Sequence, residues 1–458
     1  MPLTPEQAIA RHIATCSERQ LPEQAIAIAK RSIVDGMAAL VAGRRAEGID
    51  EMLSLAERWG GAPEARIYGT GRRTSSPTAA WINGAQMRAL ELDDCTDTLP
   101  LHPTAALLPA LLAAVDLSPM SGADLVRALI IAQDLKIRFG LAIKRNAMQS
   151  GRNNVFRIFA AAAGVAAALR LDEQQTLHAL GISASYGAGD AQCILDGSMA
   201  LRVQFGNTAH GALHSCLLAK IGVTGPVDFL LGRYGYLNAF EPEHDLDPLL
   251  SALGTRFEST RIAVKPYAAC RGTHAAIDLA LTIRSTHGSL GPEDIDRIDL
   301  TVSPEVYQLV GGPRQAKLRP ETSSAAQFSL HFIVATALLT GRADLAATQL
   351  SRLTDPRTLA LADRIHVAPD ESCRTRDIVG RTRFVLRPSS GAVIELSNDR
   401  PSGGSSSSIS RDALRAKLED CVVYARRTIR PNQLDRFMER VDAIQAEPSA
   451  SALFDDFA

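Results

Sequence analysis

The sequence predicts a mainly α protein, a large all-helical domain joined to a smaller α/β domain. Three observations predict it. Apolar residues recur at intervals of three and four through roughly the first 260 residues. Apolar and polar residues then alternate in short stretches, the pattern of half-buried strands. Helical spacing returns beyond a serine-rich run near the end, and a chain of 458 residues suits two domains better than one core.

The helical stretches follow in order. EQAIAIAKRSIVDGMAALVAG (23–43) carries Lys30, Arg31 and Asp35 between its apolar positions. SPTAAWINGAQMRALELDD (76–94) opens with Ser-Pro, a helix-start signal, and ends acidic. HPTAALLPALLAAVDLS, SGADLVRALIIAQDLKIRFGLAIKR, NVFRIFAAAAGVAAALRL, DEQQTLHALGISASYGAG and GNTAHGALHSCLLAKIG continue the pattern. Ala and Gly dominate their apolar faces, which lets helices approach closely. DIDRIDLTVSPEVYQLVG, RIHVAP and RTRFVLRPSSGAVIELSN then read as strands, the last with a turn at Pro-Ser-Ser-Gly. GTHAAIDLALTIRST and SAAQFSLHFIVATALLTG are helices among them. DRPSGGSSSSISRD (399–412) is a low-complexity loop, flexible by composition, and the two segments after it are helical again. The expected domains are residues 1–265 with 399–458, and residues 266–398.

Apolar residues make up 46% and charged residues 22%, which is ordinary for a globular chain. A formal net charge of -1 provides no field to attract nucleic acid or an anionic membrane, so neither is expected as a partner. The seven cysteines lack CxxC or zinc-like spacing and read as reduced thiols in a cytoplasm. The N-terminal stretch lacks the basic-then-apolar plan of a signal peptide, and IFAAAAGVAAAL (158–169) is too short to span a bilayer. Cytoplasmic localisation is the expectation.

Two stretches concentrate reactive side chains. VKPYAACRGTHAAIDLAL (264–281) sets Lys265, Tyr267, Cys270, Arg271 and His274 within ten residues, just before a helix. One reading is a solvated loop. The other is an active-site wall. A partly desolvated lysine can lose its proton and act as a base, or stay charged and bind a carboxylate. Arg271 offers a bidentate fork for a carboxylate, and Thr273 and His274 open a helix whose N-terminal dipole favours an anion. For His274, capping and packing compete with a site role; for Cys270, buried filler is the common alternative. ELDDCTDTLPLHP (91–103) places Asp93 and Asp94 a short loop before His102. Taken alone, these are helix-end carboxylates and a loop histidine. Adjacent residues do not share a helix face, so at most one aspartate is expected to point inward. His102 suits acid–base work near neutral pH.

These segments resemble the MmgE/PrpD family, which includes 2-methylcitrate dehydratase, cis-aconitate decarboxylase and iminodisuccinate epimerase. The resemblance runs through AKRSIVDGMAALVAG, NGAQMRALELDDCTDTLPLHPTAALLPALLA, AAAAGVAAALRLDEQQTLHALGISAS, KIGVTGPVDFLLGRYG, KPYAACRGTHAAIDLA and SAAQFSLHFIVATALLTG, nearly the whole chain. It implies a large helical domain, a small α/β lid domain, a cleft between them, a homodimer, and no metal or organic cofactor. The implied catalytic set is Lys265, His102, Asp93 and Cys270. The implied substrate-binding set is Arg271, Asp94, His274, Tyr267, Asn154, Gln204 and Arg202. Several positions depart from the decarboxylase and dehydratase pattern. GRNNVFRIF has Asn154 in place of a histidine. ALRVQFGN has Leu201 and Gln204 in place of the lysine and histidine of K-x-L-H-x-G, with Arg202 its only cation. Arg88 replaces a histidine before the double aspartate, and Cys270 lies near where decarboxylase-like members have one.

The implied chemistry removes a proton next to a carboxylate and stabilises the resulting enediolate-like charge. Elimination then needs an acid, whereas epimerisation needs a second base. The expected activity is that of a cofactor-independent lyase on a small di- or tricarboxylate, 2-methylcitrate dehydratase-like. An epimerase or isomerase of the same family, and a non-catalytic carboxylate-binding homologue, are the alternatives. A nucleotide-binding enzyme is disfavoured because GTGRRTSS follows no clear strand and VGGPRQ fails likewise. A metal hydratase is disfavoured because no His, Cys and carboxylate ligands cluster in the sequence.

Overall fold

A computed structural model describes residues 2–18, 20–145, 147–405 and 407–458. Met1 and Arg19 of the N-terminal stretch and Ser406 of the serine run lie outside the described residues. The protein is mainly α with a smaller α/β part, and it divides into two compact units. The first holds Met1–Ala89, Leu101–Thr260 and Arg411–Ala458; the second holds Leu90–Pro100 and Arg261–Ser410.

The first unit is built from long helices, with Glu23–Gly43, Gly122–Ala142 and Ala200–Lys220 each running 21 residues. Starts are specified locally: Ser121 and Asp124 form a capping box, as do Asp172 and Gln175 before Glu173–Ser183. Small residues set the spacing. A Cβ on Gly84, in the helix Ser76–Arg88, would lie 3.0 Å from the Gly206 Cα, and one on Gly206 would lie 2.5 Å from the Trp81 carbonyl oxygen. Any side chain at either glycine pushes these two helices apart. A buried guanidinium fixes the chain after residue 247. Arg138 Nε pairs with Asp134 at 2.8 Å, and its Nη atoms donate to the carbonyls of Pro248, Ser251 and Arg256 at 3.1, 2.9 and 2.6 Å. The unit is not wholly helical. Strands β1 (Ala65–Ile67) and β2 (Arg72–Thr74) pair antiparallel, so GTGRRTSS does follow a strand, contrary to expectation. Three residues are too few to show alternation.

In the second unit, β3 (Cys95–Thr96) pairs antiparallel with β4 (Ile262–Ala263). The main sheet runs in the order β6-β5-β7-β8, from β5 (Ile295–Val302), β6 (Ile365–Pro369), β7 (Thr382–Pro388) and β8 (Ile394–Asn398). β5 and β6 are parallel and the other pairs antiparallel. The alternation read in the sequence becomes one buried face, with Ile295, Ile298, Leu300 and Val302 inward on β5 and Phe384 and Leu386 on β7. Helices His274–His287 and Leu330–Thr340 pack against the sheet and each other.

The unit boundaries differ from the expected ones, because segments 90–100, 261–265 and 399–410 all join the α/β unit. The β3–β4 pairing brings in the first two. The third is pinned: Gly403 accepts the Val264 N–H at 2.9 Å, and Ser402 N–H donates to the Asp278 carboxylate at 2.8 Å. The loop read as flexible therefore has Pro401, Gly403 and Gly404 buried. None of the seven cysteines forms a disulfide. Among the described residues, no helix is long and apolar enough to cross a membrane.

Candidate active site

In the second unit, β3–β4 pairing sets residues 91–97 against the loop that begins at Val264. Lys265 is fully buried, and its Nζ donates to the Glu91 carboxylate at 2.8 Å and to the Glu91 carbonyl at 3.0 Å. Glu91 presents both oxygens from a left-handed backbone, φ 52, which costs a non-glycine residue on the order of 1 kcal/mol. Sequence reasoning missed Glu91, although it stands two residues before the aspartates it singled out. Asp93 and Asp94 are each only 1% exposed, so both point inward where one was expected. The helix ends at Arg88, and the rule that separates neighbours on a helix face does not reach them.

The rest of this loop is committed to structure. Arg271 donates from Nε to Asp97 at 2.7 Å, from Nη1 to the Ser402 carbonyl at 2.6 Å and from Nη2 to the Pro401 carbonyl at 3.1 Å. The fork expected for a substrate carboxylate is thus filled by the protein. His274 is fully buried; its Nδ1 accepts from Arg271 at 3.2 Å and its Nε2 donates to the Ala269 carbonyl at 3.2 Å. Packing wins over a site role there. Tyr267 donates to Asp278 at 2.6 Å, and burial, reinforced by Asp278, pushes its phenol pKa up. Burial also pushes the Cys270 thiol up, with Glu91 adding and Lys265 opposing. Cys270 keeps its proton, so it is neither a thiolate nor a sharpened acid.

In the first unit, His102 is half-buried, and its Nε2 lies 3.2 Å from Arg88 Nη2. A guanidinium only donates, so Nε2 is the acceptor nitrogen. Lys136 Nζ donates to the His102 carbonyl. Arg157, Arg88 and Lys136 stand 4.8, 5.3 and 5.6 Å from the centre of the Phe205 ring. The Phe205 and His102 rings are nearly perpendicular, with 6.3 Å between their centroids. Burial, with Arg88 adding, pushes the Arg157 guanidinium down to about 10, still a cation at neutral pH. Such a gathering of positive charge suits a carboxylate ligand. Lys136, Arg157 and Phe205 escaped the sequence reading because they sit in apolar helical runs. The signal was the cation interrupting each run.

The other expected binding residues of this unit do different work. Gln204 Oε1 accepts from Asn153 at 3.0 Å, while its Nε2 donates to the Asp190 carbonyl at 3.1 Å and contacts Cys193 Sγ at 3.3 Å. Arg202 donates to the Glu47 carbonyl. Both bind loops together rather than presenting donors to a ligand. Asn154 adopts a left-handed φ of 45, and its carbonyl accepts from Arg157 at 3.3 Å. Among the described residues, no group of three or more His, Cys, Asp or Glu side chains could hold a metal ion.

Comparison with known proteins covers both units. The sequence model of the MmgE/PrpD N-terminal domain matches residues 7–249, and that of the MmgE/PrpD C-terminal domain matches residues 267–440. The cis-aconitate decarboxylase-like protein oryM of Aspergillus oryzae is 27% identical over 387 residues, spanning 78% of this chain and 80% of that protein. A cis-aconitate decarboxylase of Aspergillus terreus strain NIH 2624 is 27% identical over 358 residues, 73% of this chain and 71% of its own. Another from Aspergillus terreus is 26% identical over 411 residues, covering 84% and 82%. On these matches, which together take in most of its length, the chain belongs to the MmgE/PrpD family.

Proposed function

We propose that the protein is a cofactor-independent lyase that binds a small di- or tricarboxylate and transfers a proton at the carbon next to a carboxylate. The observation that carries this reading is His102 held against Arg88, beside the cations gathered around Phe205. It couples an imidazole able to move a proton with charges able to offset an anion. His102 is assigned proton transfer, and Arg88 the offset of developing negative charge. Lys265 is the alternative candidate for that proton transfer, in place of His102: Glu91 can take the Nζ proton, leaving an amine that accepts one from carbon and returns it later. Asp93 and Asp94 are assigned to positioning. The working form is proposed to be a homodimer, on the family resemblance; light scattering that gives a 49.0 kDa monomer at all concentrations would refute this.

Cis-aconitate is the first acid to test, because the relatives are cis-aconitate decarboxylases. On it, the C–C bond to one carboxylate breaks to release CO2, and an acid returns a proton to the carbanion. An epimerase or isomerase is the second reading. It is favoured by Gln204 and Arg202, whose donors are spent on loops and so leave fewer groups for carboxylate loss. The experiment incubates the protein in deuterated water with cis-aconitate, citrate, methylcitrate, and imino- and hydroxysuccinates. Release of CO2 or water supports the lyase. Deuterium incorporation without net loss supports the isomerase. Absence of turnover and exchange with every acid sinks both and leaves a binding homologue.

A further inference from the structure

We propose that His210 and His214 of the first unit form a binding site for a late first-row divalent metal ion, zinc or copper(II), with Tyr186 as its positioning residue. The two histidines stand four residues apart on the helix Ala200–Lys220 and so share a face. Both are only partly buried. Their ring centroids are 5.7 Å apart with planes inclined at 60°. Two imidazoles bound through Nε2 at about 2.0–2.1 Å to one tetrahedral ion have centroids roughly 5 Å apart. The observed separation is within about 1 Å of that spacing.

The nitrogens are sorted for the task. His210 Nδ1 lies 3.2 Å from the Pro77 carbonyl, which can only accept, so Nδ1 carries the proton and Nε2 the lone pair. His214 Nδ1 lies 2.6 Å from the Tyr186 hydroxyl. With a metal on Nε2, Nδ1–H donates to the hydroxyl oxygen, the outer contact that orients a ligating imidazole. Among the described residues neither Nε2 makes a hydrogen bond.

Tyr186 has a seat cut for it. A Cβ on Gly211, between the two histidines, would lie 2.5 Å from Tyr186 Cγ, so the phenol ring rests on bare helix backbone. Its centroid is 5.9 Å from that of His214 and 6.3 Å from that of His210. Two protein ligands leave the remaining positions to water or a small anion, and the pair should hold copper(II) more tightly than zinc.

The test titrates the full chain with zinc chloride or copper sulfate alone, by calorimetry, and records the copper(II) paramagnetic resonance spectrum. The expected result is one ion per chain with imidazole nitrogen coupling. His210→Gln and His214→Gln should each weaken binding by about tenfold or more, and Tyr186→Phe by about 10–100-fold, since it removes only the hydroxyl. Gly211→Ala should act like Tyr186→Phe, which remains the deciding variant should the alanine distort the helix. Unchanged affinity in both histidine variants, sulfur ligation in the spectrum, or no binding at millimolar ion overturns the site.

Discussion

His102 and His274 each have a ring nitrogen 3.2 Å from an arginine Nη atom, one in each unit. His274 is fully buried, its second nitrogen is spent on a carbonyl, and Arg271 is committed to Asp97 and to the chain at 401–402. His102 is half-buried, and its partner Arg88 also faces an aromatic ring shared with two other cations. The same contact is a bolt in one place and a candidate proton carrier in the other. What separates them is access and the remaining partners, neither of which residue type reveals.

The sharpest way to break this contrast is by substitution. His102→Gln should lower kcat by roughly 10²–10⁴-fold on whichever acid turns over, with little change in urea midpoint. His274→Gln should do the reverse, costing about 1–3 kcal/mol of stability through lost buried hydrogen bonds while turnover survives. A larger kcat loss from His274→Gln than from His102→Gln would invert the assignment.

Lys265 tests whether a buried pair can still do chemistry. Lys265→Met leaves Glu91 without its cation and should cost roughly 3–5 kcal/mol, much of it restored by adding Glu91→Gln. Lys265→Arg keeps the charge but adds bulk at a fully buried position, so its urea midpoint is read alongside; its kcat should fall nearly as far as that of Lys265→Ala, because arginine does not deprotonate in this range. Near-normal turnover by the arginine variant would make Lys265 a binding residue and leave His102 the leading base.

A third histidine extends the series. His331 is 1% exposed, and neither ring nitrogen has a hydrogen-bond partner among the described residues. Burial pushes its pKa down to about 4, with Arg314, His366 and Lys317 adding to the push. The unfolded chain binds this proton near pH 6.5, and the folded protein only near 4. The contribution of His331 to stability is therefore intact above pH 6.5 and is lost as pH falls through that window, by about 3 kcal/mol in all. His331→Phe should flatten the fall in urea midpoint between pH 7 and 4.5; an unchanged slope would refute the assignment. Arg271→Lys is expected to cost about 1–3 kcal/mol of stability with KM unmoved, since its donors serve the protein. A raised KM at unchanged stability would return Arg271 to the substrate.

The helices and the main strands were legible because their periodicity spans whole elements, as in β5, where Ile295, Ile298, Leu300 and Val302 all turn inward. The hairpin at 65–74 was not, because three-residue strands carry no period. At the site, His102 and Lys265 could be named from the sequence, but the partners that define them could not. Glu91 depends on a left-handed backbone, and Arg157 and Lys136 on helix packing around Phe205, so neither is a matter of spacing along the chain. Arg271 misled for the opposite reason. A guanidinium fork fits main-chain carbonyls as well as a ligand's carboxylate.

For anyone inserting a reporter or cutting the chain, the pinned segment at 401–404 changes the choice of site. By composition it is the obvious linker, yet its carbonyls satisfy Arg271 and Val264, so an insertion there would strip partners from buried donors. The turn between β7 and β8, where Ser389 to Val393 are exposed, is the better place to open the polypeptide. A protease offered both should nick that turn first and leave 401–404 whole.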